Sequence, residues 1–284
     1  MIDLHVHTNI SDNSLSISEV IRQAKDKGIS HLAITDHDTT KGLQDALHLG
    51  AKMGVTIVPG IEISAYDYRR NKRAHILGFY IKPGHPSLAS LCNPLMESRK
   101  QASYDMFQKI LAAGFDISWE DVLKYEGGTG VYKQHLMHAL LDKGYCKTIY
   151  GDLYKKLFHR GSDTHPRGLA FIQLKYVDAL DAIRAVREAG GIPVLAHPGQ
   201  LSNFDAIDEW AEYGLGGIEV FHPSHNEENR LKSLQYAQKH HLAITGGSDY
   251  HGFYGEEPVE LGCSELGQEC IDELLLRKQE NSRI

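Results

Sequence analysis

The chain has 284 residues, 42% hydrophobic and 24% charged, which suits one α/β barrel or two modest domains around a sizeable core. Its net charge of −7 argues against a passive grip on long duplex nucleic acid, and no apolar run approaches the ~18 residues of a membrane span. Cys92, Cys146, Cys263 and Cys270 show no CxxC spacing, and no basic segment followed by an apolar run opens the chain, so a reducing cytoplasm is the expected location.

Asp3 to Val6 reads as a short strand, and alternation along a strand points His5 and His7 the same way, a chelating pair followed by a polar turn carrying Asp12. Ser16 and Glu19 form a capping box for a helix through Val20, Ile21 and Ala24 that ends at Gly28. His31 to Thr35 is the next strand and runs into Asp36-His37-Asp38. A helix through Leu43, Ala46, Leu47 and Ala51 stops near Gly54, and strand Val55 to Pro59 leads into Gly60-Ile61-Glu62. His75 to Tyr80 pairs back across a polar turn containing Arg69, Arg70, Asn71, Lys72 and Arg73. Strands and helices alternating at short intervals predict a parallel α/β architecture.

From about Gly84 the rhythm changes. A long helix over 87 to 113, then helical stretches Val131 to Leu141 and Ile149 to Phe158, follow without strand signals, so 84–165 is expected to be an inserted helical cap. The series resumes with helix Val177 to Ala189, strand Ile192 to Ala196, a helix around Phe204 to Glu212 and strand Gly217 to Val220. Helix Asn226 to His240 and strand Leu242 to Thr245 follow, and Glu269 to Lys278 is a terminal surface helix.

The 17 histidines are the compositional outlier, and they recur with carboxylates after predicted strands: His5 and His7, His37, Glu62, His75, His197, His222 with His225, and Asp249 with His251. Active sites of parallel barrels form at the carboxyl ends of strands, so these groups would converge on one face. Imidazole and carboxylate donors suit Zn, Mn or Fe. Gly246 and Gly247 would let the backbone there approach something closely.

Taken together, His5-Val-His7, Ser11-Asp12, Thr35-Asp-His37-Asp38, Gly60-Ile-Glu62, His75, Ala196-His197-Pro198 and Ser248-Asp249-Tyr-His251 resemble the polymerase and histidinol phosphatase (PHP) family of metal-dependent phosphoesterases. The insertion and Phe221-His-Pro-Ser-His225 look like its branch of 3',5'-nucleoside bisphosphate phosphatases and 5' exoribonucleases. The resemblance implies a distorted seven-stranded TIM-like (β/α)7 barrel formed by 1–83 and 166–284, holding two or three divalent ions (Mn, Fe or Zn). By that resemblance His5, His7, Glu62 and Asp249 hold one ion, Glu62 bridges to a second bound by His75 and His197, and Asp12, His37 and His251 take a third. Asn13 stands where the family usually has glycine, and asparagine tolerates a left-handed backbone.

The implied reaction is hydrolysis of a phosphate monoester of a small nucleotide, or of the 5' end of short RNA, by hydroxide formed between metals. Glu62, His222 and His225 are the catalytic candidates. Lys133, His135, His222, His225, Arg69 and Arg70 are the candidates for substrate contact, the arginines for a second phosphate. Arginine is common in similar proteins at the position of Lys133, and lysine keeps the charge without the bidentate fork. Asp38, Tyr66, Tyr250 and Arg160 are weaker candidates. Histidinol phosphate is the alternative substrate. An amidohydrolase is disfavoured by the lack of a lysine at a strand terminus, and a noncatalytic metal or nucleotide-binding module by the filled ligand positions.

Overall fold

The computed structural model describes residues 1–162, 164–262 and 265–281; Cys263 lies outside them. Seven strands form a nearly closed barrel-shaped sheet in the order β1 (Ile2–Val6), β2 (His31–Ile34), β3 (Thr56–Asp67), β4 (Lys72–Phe79), β6 (Ile192–Leu195), β7 (Gly217–Phe221) and β8 (Ala243–Gly246). The short β5 (Val177–Asp178) pairs with β3 off this path. Closure is made by a parallel bridge from Val6 to Tyr250 and by the Asp249 N–H, which donates to His5 O at 2.8 Å.

One strand departs from the parallel expectation. β4 runs antiparallel to both β3 and β6, because the turn at 68–71 is too short for a crossover and folds the chain back as a hairpin. His75 therefore sits inside β4 rather than after a strand. It reaches the ligand-bearing mouth because the start of a reversed strand lies where the parallel strands end. Glu62 likewise lies within β3, which continues to Asp67.

Alternation divides the strand side chains between two cores. Ala33, Val58, Leu77, Val194 and Ala243 fill the barrel and meet Ile271 and Leu274 of helix Gln268–Asn281, which plugs one end. Leu32, Ile34, Ile57, Ile76 and Leu195 pack against the surrounding helices, including Ile183 and Val186 of Ala179–Glu188.

Between β4 and β5 the described residues carry helices Pro86–Ala112, Trp119–Leu123, Lys133–Asp142 and Asp152–Phe158 and no strand. This stretch has its own apolar cluster, with Met106, Phe107, Val122, Leu136 and Leu157. Helix Pro86–Ala112 spans the two regions: Leu88 and Cys92 join the barrel cluster, and Met106 and Ile110 the other. No helix among the described residues is long and apolar enough to cross a membrane.

Candidate metal centre

His5 and His7, both wholly buried, point from β1 and its end toward Glu62 of β3 and Asp249 after β8. His5 Nε2 lies 3.3 Å from Glu62 Oε2 and 3.4 Å from Asp249 Oδ1, and His7 Nε2 lies 3.2 Å from each. Ligands ~2.0–2.1 Å from a central cation in tetrahedral array stand about 3.3 Å apart, so these separations fit a single ion. His5 Nε2, His7 Nε2 and Asp249 Oδ1 are also buried without a well-formed hydrogen bond, as atoms aimed at a common centre would be.

Glu62 joins this group to the next. Its Oε2 faces His5, His7 and, at 3.3 Å, His37 Nδ1; its Oε1 faces His75 Nδ1 at 2.7 Å and His197 Nε2 at 3.1 Å. His7, Asp12, His37 and His251 form a further set of potential ligands, as do His37, Glu62 and His75. All nine residues of the ligand set implied by the family resemblance thus lie around one cage. His37 stands between two of the groups, with Nδ1 toward Glu62 and Nε2 3.9 Å from Asp12 Oδ2.

The electrostatics are those of a cation site. Burial alone would raise the carboxyls, yet His37, His75 and His5 hold Glu62 well below its usual range, and His251 and His37 do the same for Asp12. Burial opposes charge on His7 as well, but the carboxylates of Asp249, Glu62 and Asp12 outweigh it and lift the imidazole to about 10. Burial wins at His37 and His197, both pushed down to about 4. The cage demands positive charge near His5 and His7, as protons or as a metal ion in their place.

Of three buried carboxylates behind the cage, Glu219 and Asp3 were missed by sequence reasoning, and Asp36, expected beside His37 as an acid able to orient an imidazole, holds Thr8 and Ser11 instead. Glu219 accepts from His5 Nδ1 at 3.0 Å and from the His197 N–H at 2.7 Å, so one carboxylate orients the His5 ring and anchors the His197 main chain. Asp36 accepts from the N–H groups and hydroxyls of Thr8 and Ser11, holding the turn before Asp12. Asp3 ties β1 to Ser248 and Gly262. The available signal was an acid inside an otherwise apolar strand, as in Ile218-Glu219-Val220, which burial permits only if the charge is fully hydrogen-bonded.

Backbone geometry is specialised here. His197 and Asp249 adopt positive φ values of 25° and 52°, a strain that surrounding contacts must hold. A Cβ on Gly247 would stand 2.4 Å from His5 N, so glycine there lets the β8 turn lie directly against β1.

A cavity of about 160 Å³ opens onto Asp12, His37 and His75 and is lined by Arg73, Arg99, Lys133 and Arg160, with Tyr154, Phe171 and Tyr176 around them. Arg99 is matched by Asp38 at 2.5 Å, but apart from Asp12 no carboxylate lines the cavity among the described residues. Lys133 Nζ lies over the rings of Phe158 and Phe171, and burial, then Arg160, Arg73 and Arg99, lower its pKa to about 8.

The other candidates fall outside the cavity. Arg69 is bound by Glu209 at 2.8 Å, and Arg70 by Asp67 at 2.9 Å and Glu209 at 2.7 Å, so both turn away from the cavity lining. Arg73 is the arginine of that run that lines it, and it stands two residues before His75 on one strand, a same-face relation readable from the sequence. His135 is buried, with Nδ1 accepting the Tyr132 N–H at 3.1 Å. His222 turns Nε2 to Asp249 Oδ2 at 3.4 Å. Both nitrogens of His225 are occupied by main chain, Nδ1 by Val220 O and Nε2 by the Gly199 N–H. Tyr66 bonds Asn71 and Tyr250 bonds Gln23.

A sequence profile of the PHP domain matches residues 3–186. The chain belongs to the PHP family. A phosphoribosyl 1,2-cyclic phosphate 1,2-diphosphodiesterase of Eggerthella lenta is 44% identical over 257 residues, covering 90% of this chain and 96% of the relative. A 3',5'-nucleoside bisphosphate phosphatase of Chromobacterium violaceum is 29% identical (93% and 91% covered), and the 5'-3' exoribonuclease Rnm of Escherichia coli 28% (88% and 84%). Among solved structures, one from Bifidobacterium adolescentis provisionally described as a metal-dependent phosphoesterase superposes with TM-score 0.86 at 29% identity, over 97% of this chain and 96% of that one. Like other PHP proteins, this chain is a metal-dependent phosphoesterase, and the ligand cage at the barrel mouth is the chemistry that the family assignment calls for.

Proposed function

We propose that this PHP enzyme hydrolyses the phosphate ester of a small sugar phosphate or nucleotide bearing a second phosphate, with 5-phosphoribosyl 1,2-cyclic phosphate as first candidate. The observation that carries this reading is charge: Arg73, Lys133 and Arg160 crowd a cavity beside the cage whose only lining carboxylate among the described residues is Asp12. Like charges brought together in one cavity favour an anion between them. The small cavity suits a phosphorylated sugar, and the 44% identical relative is named for a cyclic phosphate of one. Tyr154, Phe171 and Tyr176 could instead stack on a base, which favours a nucleoside 3',5'-bisphosphate as the second reading.

We assign His5, His7, Glu62 and Asp249 to one ion, Glu62, His75 and His197 to a second, and Asp12, His37 and His251 to a third, with Mn, Fe or Zn compatible with the donors. Bound divalent ions neutralise phosphoryl oxygens and lower the pKa of coordinated water. Glu62 spans two groups and serves as a bridge rather than a general base. Arg73, Lys133 and Arg160 hold the distal phosphate so that the ester phosphorus stays at the cage. His222, whose Nε2 faces Asp249 Oδ2, helps to hold that carboxylate; His225, saturated by main chain, supports the loops. With a cyclic diester, one water opens the ring to a monoester and a second releases inorganic phosphate, each cleavage leaving a sugar hydroxyl.

The test is phosphate release with added Mn from 5-phosphoribosyl 1,2-cyclic phosphate, adenosine 3',5'-bisphosphate, AMP, histidinol phosphate and short 5'-phosphorylated RNA. The reading expects the highest kcat/KM for a substrate with two phosphate groups and loss of all activity with chelator. Equal kcat/KM for histidinol phosphate would overturn it.

A further inference from the structure

The stretch leading into helix Lys133–Asp142 is fastened to the turn that carries Asp12. The Gly128 N–H donates to Asn9 O at 3.1 Å, Thr129 Oγ1 donates to Ile10 O at 2.7 Å, and Gln134 Nε2 donates to Asp12 Oδ2 at 3.2 Å. Gly127 lies so close that a Cβ there would stand 1.7 Å from Asn9 O. On the other side of the same ligand group, the Tyr132 ring lies over that of His37, at 6.5 Å between centroids and 25° between planes.

These contacts divide the two oxygens of Asp12. Oδ2 accepts from Gln134 and lies 3.9 Å from His37 Nε2, while Oδ1 accepts from Ser11 Oγ at 3.0 Å and faces His251 Nε2 at 3.4 Å. A carboxylate held at both oxygens keeps a fixed orientation toward His37 and His251, and such outer contacts tune the ion that a carboxylate binds.

We infer that the helical region between β4 and β5 acts as a splint for a single ion, that of Asp12, His37 and His251, with Gln134 and Thr129 as positioning residues. The inference rests on the three-ion reading above. The remaining ligands, His5, His7, Glu62, His75, His197 and Asp249, come from strands and loops of the barrel, so loosening the splint leaves their ions in place.

The experiment compares bound Mn per chain, by elemental analysis under graded chelator, for the wild type, Gln134→Met and Thr129→Val, with melting temperatures alongside. Methionine keeps the length of Gln134 and valine the shape of Thr129, so both variants preserve packing. The expected result is three ions in the wild type and, in each variant, one ion lost at roughly ten- to a hundred-fold less chelator while the others are retained. A three-ion wild type with unchanged variants overturns the splint alone. Loss of all ions together with a lowered melting temperature overturns it in favour of general destabilisation. A wild type holding fewer than three ions overturns both the splint and the ion assignment beneath it.

Discussion

Replacing Glu62 by glutamine is the most informative single perturbation of the cage. The side chain is 2% exposed, and its two oxygens face five imidazoles at 2.7–3.3 Å. Glutamine preserves the shape but removes the charge and turns an NH2 group toward nitrogens that must donate lone pairs. Removing one partner from a buried, compensated charge set costs about 3–5 kcal/mol. For ion binding that corresponds to about 10²–10⁴ in affinity. The Glu62→Gln protein should therefore emerge from chelator titration with at least one ion fewer, and its hydrolysis of p-nitrophenyl phosphate should fall at every Mn concentration that saturates the wild type. Glu62→Asp keeps the charge but cannot reach both groups, so it should lose one ion and retain the other. A Glu62→Gln chain with unchanged stoichiometry and an unchanged chelator curve would refute the bridging role.

Three further outcomes follow from the same geometry. With His7 lifted to about 10 by Asp249 and Glu62 against the cost of burial, a proton must leave as a cation enters, so metal affinity should rise with pH through the neutral range, up to about tenfold per unit for each proton displaced. Calorimetry in buffers of different ionisation enthalpy reads that proton, and a pH-independent affinity would contradict it. Lys133, lowered to about 8, is charged below that pH and neutral above it, so KM for a doubly phosphorylated substrate should climb above pH 8; Lys133→Ala should raise KM throughout and abolish the rise. Arg73→Ala should weaken binding of doubly phosphorylated substrates more than of p-nitrophenyl phosphate, whereas the Arg69→Ala, Arg70→Ala double variant, which breaks pairs with Asp67 and Glu209, should leave kcat/KM near wild type.

Much of the site was legible because it depends on local rules. Alternation put His5 beside His7, and the Ser16–Glu19 capping box in front of helix Ile17–Asp26 is present as read. The glycines before Asp249 signalled a close approach, and the structure identifies its object as the His5 backbone. Glu219 escaped notice because its partners, His5 and His197, are remote in sequence. Arg69 and Arg70 were favoured over Arg73 for the second phosphate because residue type carries charge but not direction.

What the chain determines by itself is the supply of chemistry: which donors exist, in what order, and on which side of each strand, since these follow from residue type and a backbone period of two. Only the closed barrel decided that the reversed strand β4 brings His75 and Arg73 to the mouth, that the two oxygens of Glu62 face different groups, and that residues 127–134 brace the turn of Asp12. Those outcomes depend on contacts between segments far apart along the chain, and a local pattern carries no information about which distant partner a side chain will meet.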